Sequence, residues 1–409
     1  MKKRLHILFL THYFTPEVNA PANRTFEHAR RWVNDADVTV LTNFPNHPDG
    51  QIFEDYKNKL VQKENINGIN VVRIWTFITP NEGFVLRTLN FLIYMFGAIL
   101  YTLFSRIKFD VVIATTPQFF CGLAGKYISK IKRKPFILEL RDLWPESIIA
   151  VGAIKNKTII KILENIELNL YKSAKKIISV TRSFKENLVS RGIEKSKIEV
   201  MFNGVSFDVF TNGAAIKDTE LNNYLNSGFS IGYIGTIGLA HSIFTLVKAA
   251  EKLKDSNVNF IIVGSGAQRA NIEREIKAKN LTNIKVFPIQ SKDQIPSIIN
   301  KLDIFCVHLK KDPLFKTVIP SKLFEGMAMK KPILIGVDGE SRTIVEDAEC
   351  GLFFEPENEI DLIDKIARIR DDKKLEETFG NNGYTYVKNN FDREKIANQY
   401  LSSIKQTVL

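Results

Sequence analysis

The stretch Val318-Ile-Pro-Ser-Lys-Leu-Phe-Glu-Gly-Met-Ala-Met-Lys-Lys-Pro-Ile-Leu-Ile335 predicts a helix that leads into a short apolar strand. Its Pro-Ser opening and its Lys-Lys-Pro ending are typical helix boundaries. A capping box would place an acid three residues after Ser321, but Phe324 stands there and the acid, Glu325, follows one position later. Lys322 and Glu325 lie three positions apart, so both side chains leave the first turn on one side. Spacing alone leaves two interpretations open: a surface ion pair, or a pair that points into a site.

Length and charge limit the class of protein. A chain of 409 residues exceeds the roughly 250–300 residues at which a single core stops growing, which predicts two domains. The hydrophobic fraction of 44% is ordinary for a globular protein. The net charge of +12 is not, and it favours a polyanionic partner, which could be nucleic acid, an anionic membrane surface or a diphosphate ligand.

The cysteines and the start of the chain indicate a cytoplasmic protein. Cys121, Cys306 and Cys350 are odd in number, lie far apart and match no metal-binding spacing. A reduced compartment is therefore expected. The apolar run at residues 5–10 is short and breaks at Thr11, so it predicts a first buried strand and not a signal peptide.

Strand and helix patterns alternate along both halves of the chain. Strands are predicted at residues 5–10, 38–42, 70–74, 111–115, 136–140 and 176–180, and, after the pattern restarts near residue 230, at 259–263, 284–287 and 304–308. Helices are predicted at 24–33, 242–253, 268–279 and 393–405. Such alternation demands parallel sheets, so the predicted fold class is α/β with two Rossmann-like, doubly wound domains.

Composition predicts where the domains begin and end. We predict a first domain at residues 1–205, a linker at 206–228 and a second domain at 229–385. A C-terminal helix within about residues 386–409 is predicted to cross back to the first domain. Ligands of open α/β sheets bind outside the carboxyl ends of the strands. Two such domains facing each other would place both ligand sites in one cleft.

Several motifs, each weak alone, are specific in their order and spacing. They are Ala20-Pro-Ala-Asn-Arg24, Glu139-Leu-Arg-Asp-Leu-Trp-Pro-Glu146, Asn203-Gly-Val205, Gly232–Gly238, Gly264-Ser-Gly266 and Pro320–Pro332. In this combination the chain resembles retaining glycosyltransferases of the GT-B fold, family 4, in particular bacterial enzymes of O-antigen and capsule assembly such as the WbuB-type N-acetyl-L-fucosamine transferases. The resemblance implies transfer of a deoxy or N-acetylamino sugar from a UDP-sugar to a polyprenyl-diphosphate-linked sugar, without a metal cofactor.

The resemblance assigns the donor site to the second domain. Glu325 matches the second glutamate of the family's E-x7-E pair, which accepts hydrogen bonds from the ribose hydroxyls, and one carboxylate can accept both. Thr317 stands where the first glutamate is expected. Because that glutamate commonly contacts the donor sugar, its absence fits a deoxy or otherwise unusual sugar. Main-chain atoms of Ile289 are expected to read the base.

The donor pyrophosphate needs positive charge. Where the family often has an Arg and a Lys after the glycine-rich turn, this chain has Thr236 and, near the Lys position, His241. The charge is therefore expected from elsewhere. Lys322 is the best candidate for this cation, and Lys316 and Arg24 are the next candidates.

Backbone groups complete the implied donor site. Helix N-termini at Ser321 and near Ala20 are expected to contribute N–H donors. Asn19 occupies the place of the family's paired glycines, and asparagine tolerates left-handed backbone angles better than most residues. Gly235 belongs to the glycine-rich turn. Gly264 either lets backbone approach the ligand closely or only makes a tight turn.

The implied catalytic residues follow the strand predicted at 136–140. Arg141 and Asp142 stand where other family members carry a His-Asp pair near the anomeric carbon, and Asp142 is our candidate for the acidic group beside the acceptor hydroxyl. The resemblance implies a front-face displacement, in which the donor phosphate takes the acceptor proton and the protein supplies placement and a positive field. The alternative is an Arg–Asp ion pair that only braces the Trp144-Pro145 turn.

The most apolar part of the chain is residues 84–104. Its uninterrupted apolar run of about 14 residues is shorter than the roughly 20 needed to cross a bilayer, so a buried core helix and an interfacial helix both remain open. The resemblance to enzymes with lipid acceptors favours peripheral contact with the anionic inner face of the cytoplasmic membrane. The predicted acceptor and membrane contacts are Arg24, Arg87, Phe91 and Phe96.

Three other functions are considered and not favoured. Asp35-Ala-Asp37 copies a metal-binding Asp-x-Asp motif, but Asp and Asn are expected in the turn where it lies, and the six histidines show no ligand spacing. A non-hydrolysing nucleotide-sugar 2-epimerase shares the two-domain fold but would need acids and histidines converging on the sugar. A nucleic-acid-binding protein would need clustered charge, whereas the 57 lysines and arginines are spread along the chain.

Overall fold

The chain forms two compact α/β units. The computed structural model describes residues 4–47, 50–78, 84–150, 154–210 and 213–408. Unit 1 comprises Met1–Phe202 and Glu394–Leu409, and unit 2 comprises Asn203–Arg393. Each unit has its own sheet and its own apolar core. The predicted fold class, two Rossmann-like α/β domains with parallel sheets, is confirmed.

Unit 1 contains an eight-stranded sheet. Its strands are β1 (Leu5–Leu10), β2 (Ala36–Asn43), β3 (Val61–Ile66), β4 (Ile69–Ile74), β5 (Val111–Thr115), β6 (Phe136–Leu140), β7 (Lys176–Ser179) and β8 (Ile198–Val200). Their order in space is β3-β4-β2-β1-β5-β6-β7-β8, and all neighbours are parallel except the β3–β4 hairpin. The order reverses between β1 and β5, the kind of switch point where such sheets bind ligands.

Helices cover this sheet on both faces, which explains why its central strands are buried and almost entirely apolar. Every residue of β5 and β6 is buried, as parallel strands between two helical layers require. The first six helices are α1 (Ala20–Trp32), α2 (Phe84–Phe104), α3 (Phe119–Lys132), α4 (Glu146–Ala150), α5 (Lys157–Ser173) and α6 (Arg182–Ser190).

Unit 2 contains a six-stranded parallel sheet. Its elements are α7 (Thr219–Leu225), β9 (Phe229–Ile234), α8 (Phe244–Lys252), β10 (Val258–Val263), α9 (Arg269–Ala278), β11 (Ile284–Phe287), α10 (Ile295–Lys301), β12 (Ile304–His308), α11 (Lys322–Ala328), β13 (Ile333–Gly336), α12 (Glu340–Asp347), β14 (Gly351–Phe353), α13 (Glu359–Arg370) and α14 (Lys373–Asn390). The strand order is β11-β10-β9-β12-β13-β14, so the switch point lies between β9 and β12.

The last helix, α15 (Arg393–Val408), packs in unit 1. The indole Nε1 of Trp32 on α1 donates a hydrogen bond to the Ala397 carbonyl at 2.9 Å. The Tyr400 ring meets Trp32 edge-on, with 5.0 Å between the ring centroids. The return of a C-terminal helix to the first unit thus agrees with the sequence, although residues 386–393 stay in unit 2.

The predicted linker at residues 206–228 is wrong in part. Thr219–Leu225 forms α7 with Asp218 as its N-cap, and the segment belongs to unit 2. Leu221 and Leu225 are buried. The polar composition of this segment concealed a helix that buries only one side. Strand β3 was also not predicted, because its residues alternate between exposed and half-buried in the manner of a sheet edge.

Arg24 is a structural residue of unit 1 and not a membrane or phosphate contact. Its side chain is only 4% exposed. The guanidinium donates to Glu139 Oε1 on β6 at 2.9 Å and to the carbonyls of Met201 and Phe202, also at 2.9 Å. Thr115 Oγ1 donates to the other Glu139 oxygen at 2.6 Å. The two ions therefore tie α1, β6 and the end of β8 together, which corrects the sequence prediction for Arg24.

Replacing Arg24 with Ala should lower the free energy of unfolding of unit 1 by about 3–5 kcal/mol, because Glu139 would keep a buried charge without its cation. Urea unfolding followed by circular dichroism measures this. Arg106→Ala is the control, since Arg106 is an exposed arginine of the same unit and its loss should cost only about 0.5 kcal/mol or less. Equal losses in the two variants would contradict the structural role of Arg24.

Candidate functional site

Two glycine turns meet at the carboxyl ends of β9 and β10. Gly235 and Gly264 follow these strands with φ of +136° and +158°, angles that favour glycine. A Cβ on Gly264 would overlap the Gly235 carbonyl. The Ile237 N–H donates to the Ser265 carbonyl at 2.8 Å. Gly264 therefore serves a backbone-to-backbone contact between the two turns, and its role in approaching a ligand stays a prediction.

Lys322 lies beneath the Gly235 turn. Its Nζ is buried and has no hydrogen-bond partner among the described residues. The ammonium stands 3.7 Å from the centroid of the Tyr233 ring, and a Cβ on Gly235 would approach it to 2.7 Å. Burial lowers the pKa of Lys322 to about 7, against the attraction of Glu325 and Cys306. A buried amine aimed at a glycine turn, at the edge where ligands bind, is suited to an anion.

Glu325 lies one turn further along α11 and is half-buried. Burial raises the pKa of its carboxyl, while the charges of Arg393, Lys322 and Lys292 lower it. Lys322 and Glu325 therefore form neither a surface ion pair nor a cap: Ser321 accepts no capping hydrogen bond either. Both groups remain available at the switch point of the unit 2 sheet.

His241 is a neighbour of Lys322 that the sequence did not single out as a ligand. Its Nδ1 is buried and lacks a hydrogen-bond partner within the described ranges. Burial, together with the charge of Lys322, lowers the pKa of His241 to about 3. A neutral imidazole can exchange a hydrogen bond but brings no charge. The sequence placed it only near the position of the family's lysine, and its burial beside the amine depends on tertiary packing.

Glu357 fixes the loop that carries His241. Its carboxylate accepts from Ser242 Oγ at 2.7 Å and from the Lys311 N–H at 3.0 Å, and its own N–H donates to His308 Nε2 at 3.1 Å. Thr236, on the same turn, is exposed, and its carbonyl accepts the Tyr233 hydroxyl at 2.7 Å. The turn after β9 is thus held from several sides.

Two other donor-site candidates of unit 2 are occupied by local contacts. Lys316 pairs with Asp338 at 2.7 Å and is exposed, so its charge is partly neutralised. Its place as a reserve cation stays a prediction. Thr317 Oγ1 donates to the Leu314 carbonyl at 2.6 Å within its own turn. Ile289 follows β11 and is 63% exposed, and its role in reading a base stays a prediction.

Asn19 does not replace a glycine. Its φ is −134°, which is extended backbone and not the left-handed region. Instead it is the N-cap of α1, and its Oδ1 accepts the Ala22 N–H at 2.9 Å. Ala20 is the first residue of that helix. The expected left-handed turn at Asn19 is therefore wrong, because a side chain that can cap a helix needs no unusual backbone angle.

Asp142 lies just beyond the carboxyl end of β6. Burial raises its pKa to about 6, against hydrogen bonds from Ser147 and from the Leu143 N–H that favour the ionised form. The Arg141 N–H donates to Thr116 Oγ1 at 2.7 Å. Asp142 thus braces the turn that leads into α4 through Ser147 and Leu143, and the positive charge of Arg141 also lowers its pKa. Its catalytic role stays a prediction.

The predicted membrane contacts on α2 differ in exposure. Phe96 is 57% exposed and Arg87 is exposed, whereas Phe91 is half-buried. Residues Leu86–Phe104 are long and apolar enough to cross a membrane by length and composition, yet only 28% of the most apolar window is buried. A core helix would be mostly buried. The core interpretation of this segment is therefore disfavoured.

Among the residues that the structure describes, no group of three His, Cys, Asp or Glu side chains could hold a metal ion. Asp37 of the Asp-x-Asp motif pairs with Arg4 at 2.8 Å instead. This side chain lies at the start of β2, the opposite edge of the sheet from the carboxyl ends. Metal independence itself stays a prediction.

Family models match each half of the chain. The model "Glycosyltransferase Family 4" covers residues 22–209, and "Glycosyl transferases group 1" covers residues 223–386. The chain is a GT-B glycosyltransferase. Both models describe transferases, so neither the epimerase nor the nucleic-acid-binding alternative is favoured.

This glycosyltransferase is similar to named relatives over most of its length. WcaI of Escherichia coli, named for colanic acid biosynthesis, is 23% identical over 383 residues, which are 90% of this chain and 92% of that protein. CapM of Staphylococcus aureus, named for capsular polysaccharide biosynthesis, is 24% identical over 75% of this chain and 80% of its own. The Anabaena HepE structure with UDP and glucose has a TM-score of 0.72 at 16% identity, covering 98% of this chain and all of that one. At that identity, the structural likeness shows the fold alone.

Replacing Lys322 with Met should stabilise the glycosyltransferase, by about 1–4 kcal/mol near pH 6, because an unpaired buried charge is costly. The folded protein releases the Lys322 proton near pH 7, whereas the unfolded chain keeps it up to about 10.5. The cost is therefore full below pH 7 and fades as the pH rises towards 10.5. Urea unfolding near pH 6 and near pH 9 measures the difference.

Lys316→Met is the matched control, since the exposed Lys316–Asp338 pair should give no stabilisation at either pH. A Lys322→Met variant that is less stable than the wild type at both pH values would show that the ammonium is satisfied in the folded protein and not poised for a ligand.

Proposed function

We propose that this glycosyltransferase moves a sugar, with retention, from a UDP-sugar to a polyprenyl-diphosphate-linked sugar in the assembly of a bacterial surface polysaccharide. The observation that carries the proposal is that Lys322, whose buried ammonium has no hydrogen-bond partner among the described residues, and the half-buried Glu325 lie one turn apart on α11, beside the switch point of unit 2. A nucleotide diphosphate needs a cation for its phosphates and an acceptor for its ribose hydroxyls, and this pair offers one of each.

Unit 2 is the proposed donor-binding unit. The ammonium of Lys322 neutralises the diphosphate, and the nearby His241 exchanges a hydrogen bond with it. The Glu325 carboxylate accepts hydrogen bonds from the two ribose hydroxyls. A UDP donor is supported by the HepE structure, which contains UDP. The names of WcaI and CapM support a role in surface polysaccharides.

The sugar itself is proposed from what the site lacks. Thr317 stands in place of an acid that commonly contacts the donor sugar, and its hydroxyl is engaged within its own turn. Without that carboxylate, the site lacks a hydrogen-bond acceptor for one hydroxyl of the donor sugar, so a sugar that lacks this hydroxyl loses no hydrogen bond. A deoxy or N-acetylamino sugar, such as the N-acetyl-L-fucosamine of the WbuB type, fits this arrangement.

The proposed reaction is a front-face displacement. The bond between the anomeric carbon and the phosphate oxygen breaks, the acceptor oxygen bonds to the same face of that carbon, and the acceptor proton goes to the departing diphosphate. The products are the extended lipid-linked sugar and UDP. No enzyme nucleophile is needed, and the positive field of Lys322 stabilises the leaving group in place of a metal. Asp142 is the proposed acidic group on the acceptor side, assisted by Arg141.

A peripheral position at the inner face of the cytoplasmic membrane is proposed from one side of α2. Its exposed apolar residues recur at spacings of three, four and seven, which places them in one stripe along the helix. They are Leu86, Leu89, Phe96, Leu100 and Leu103, with Phe104 at the end. The opposite side is fixed to the sheet, since the Tyr94 hydroxyl donates to the Leu41 carbonyl at 2.7 Å. A helix attached in this way lies along a membrane surface and does not cross it.

Replacing Glu325 with Ala should weaken UDP binding by about 2–4 kcal/mol, because two charge-assisted hydrogen bonds to the ribose are lost. Isothermal titration calorimetry with UDP measures this directly and needs no knowledge of the donor sugar. Glu346→Ala is the control, since Glu346 is an exposed acid of the same unit that pairs only with Arg342. Unchanged UDP affinity in the Glu325 variant would remove this residue from the donor site.

Replacing Phe96 and Phe104 together with Asp should reduce partitioning onto anionic phospholipid vesicles at least tenfold, because each buried Phe contributes roughly 1.5–3 kcal/mol. Sedimentation with the vesicles measures the bound fraction. Ile360→Asp is the control, an equally exposed apolar residue of unit 2. If the Phe variant sedimented like the wild type, the stripe on α2 would not be the membrane contact.

A further inference from the structure

Unit 1 contains an apolar cavity that the proposed donor site does not use. Its volume is about 190 Å³. Four helices form its wall: Phe91 comes from α2, Phe119 from α3, Ile148 from α4 and Leu163 from α5. Sites for drug-sized ligands measure roughly 300–1,000 Å³. This cavity is therefore too small for a nucleotide sugar, but it can hold a segment of an apolar chain.

Aromatic rings form part of the cavity wall. The rings of Phe119 and Trp144 stack with 4.1 Å between their centroids and 16° between their planes. Phe91 and Phe120 also line the cavity. Flat ring faces suit the planar, branched double-bond units of a prenyl chain, against which they can stack. The contact is apolar and has a preferred geometry.

One residue of the cavity wall connects the cavity to exposed apolar surface on α5. Ile159 lines the cavity and is also 47% exposed, at the start of a stripe on α5 that continues through Ile162 and Ile166. Helix α3 packs against both α2 and α5 and adds exposed Tyr127 and Ile131. Three neighbouring helices thus present apolar side chains, and the cavity lies among them.

Charge identifies one end of the occupant. Arg87 is the only charged side chain among the described residues that line the cavity, and it is exposed. Trp144, which also lines the cavity, lies two positions after Asp142, the proposed acceptor-side acid. An amphiphile with an anionic head and an apolar tail would place its head at Arg87 and its tail in the cavity.

We infer that this cavity binds the first prenyl units of the lipid acceptor, next to its diphosphate. The inference rests on the proposed function, because a polyprenyl diphosphate is the acceptor proposed there. It goes further in assigning the lipid to Phe91, Phe119, Trp144, Ile148 and Leu163. The cavity would recognise the acceptor by its lipid as well as by its sugar. It also adds a reason for the protein to act at a membrane.

Farnesyl diphosphate is the probe, titrated calorimetrically into the full-length protein in the absence of a donor. Leu163→Trp should weaken its binding about tenfold, because a larger side chain fills space needed by roughly two methylene groups. Asn165→Trp is the matched control: it introduces the same side chain two positions away on α5, at an exposed polar residue, and should bind the probe like the wild type. Ile148→Phe repeats the test from another wall, and circular dichroism checks that each variant is folded.

Two comparison ligands decide what the cavity recognises. Inorganic diphosphate should bind at least tenfold more weakly than farnesyl diphosphate, and dodecyl diphosphate should bind more weakly than the prenyl compound. Equal affinity for the alkyl compound, or farnesyl affinity unchanged in folded Leu163→Trp and Ile148→Phe, would overturn the inference. If farnesyl diphosphate bound as expected but no UDP-sugar of a panel gave transfer to a polyprenyl-diphosphate-linked sugar, the cavity assignment would stand and the proposed function would be refuted.

Discussion

The structure of unit 2 is constrained by one buried ammonium group. Lys322 Nζ lies between an aromatic ring and a glycine turn, with no hydrogen-bond acceptor among the described residues. Taking a charge out of water without a partner is unfavourable, so the fold can keep it only through partial compensation. The face of Tyr233 and the nearby carboxylate of Glu325 provide this. The remaining free-energy cost of burying Lys322 at the switch point has an explanation if an anionic ligand binds there and pairs with the ammonium.

Glycine makes this arrangement possible. A side chain on Gly235 would crowd the ammonium, and one on Gly264 would overlap the Gly235 carbonyl. The two turns can therefore pack backbone against backbone and leave the amine beneath them. Unit 1 differs, because its buried Arg24 forms a hydrogen-bonded ion pair with Glu139. Buried charges at similar places in two related folds can thus serve a ligand in one unit and stability in the other.

Helix α2 of unit 1 is apolar on its exposed side as well as on its buried side. One side of this helix must be apolar to pack on the sheet, where Tyr94 and Ala98 are buried, but the other side is apolar as well and is exposed at Phe96 and Leu100. An exposed stripe of this size is unfavourable in water. It is favourable at a lipid surface, which links the helix, the neighbouring cavity and the proposed lipid acceptor in one explanation.

The sequence by itself determined the fold class and most of the strands. The runs at β5, β6 and β12 are mostly apolar and fully buried, and local pattern identifies strands of this kind. Sequence also selected Lys322 and Glu325, because their spacing and the missing cap were visible along the chain. Only tertiary structure showed that Lys322 has no hydrogen-bond partner among the described residues while Arg24 is bonded to Glu139, that Asn19 caps a helix, and that His241 adjoins the amine. These facts depend on contacts between residues far apart in the sequence, and hydrogen bonding and burial are properties of such contacts.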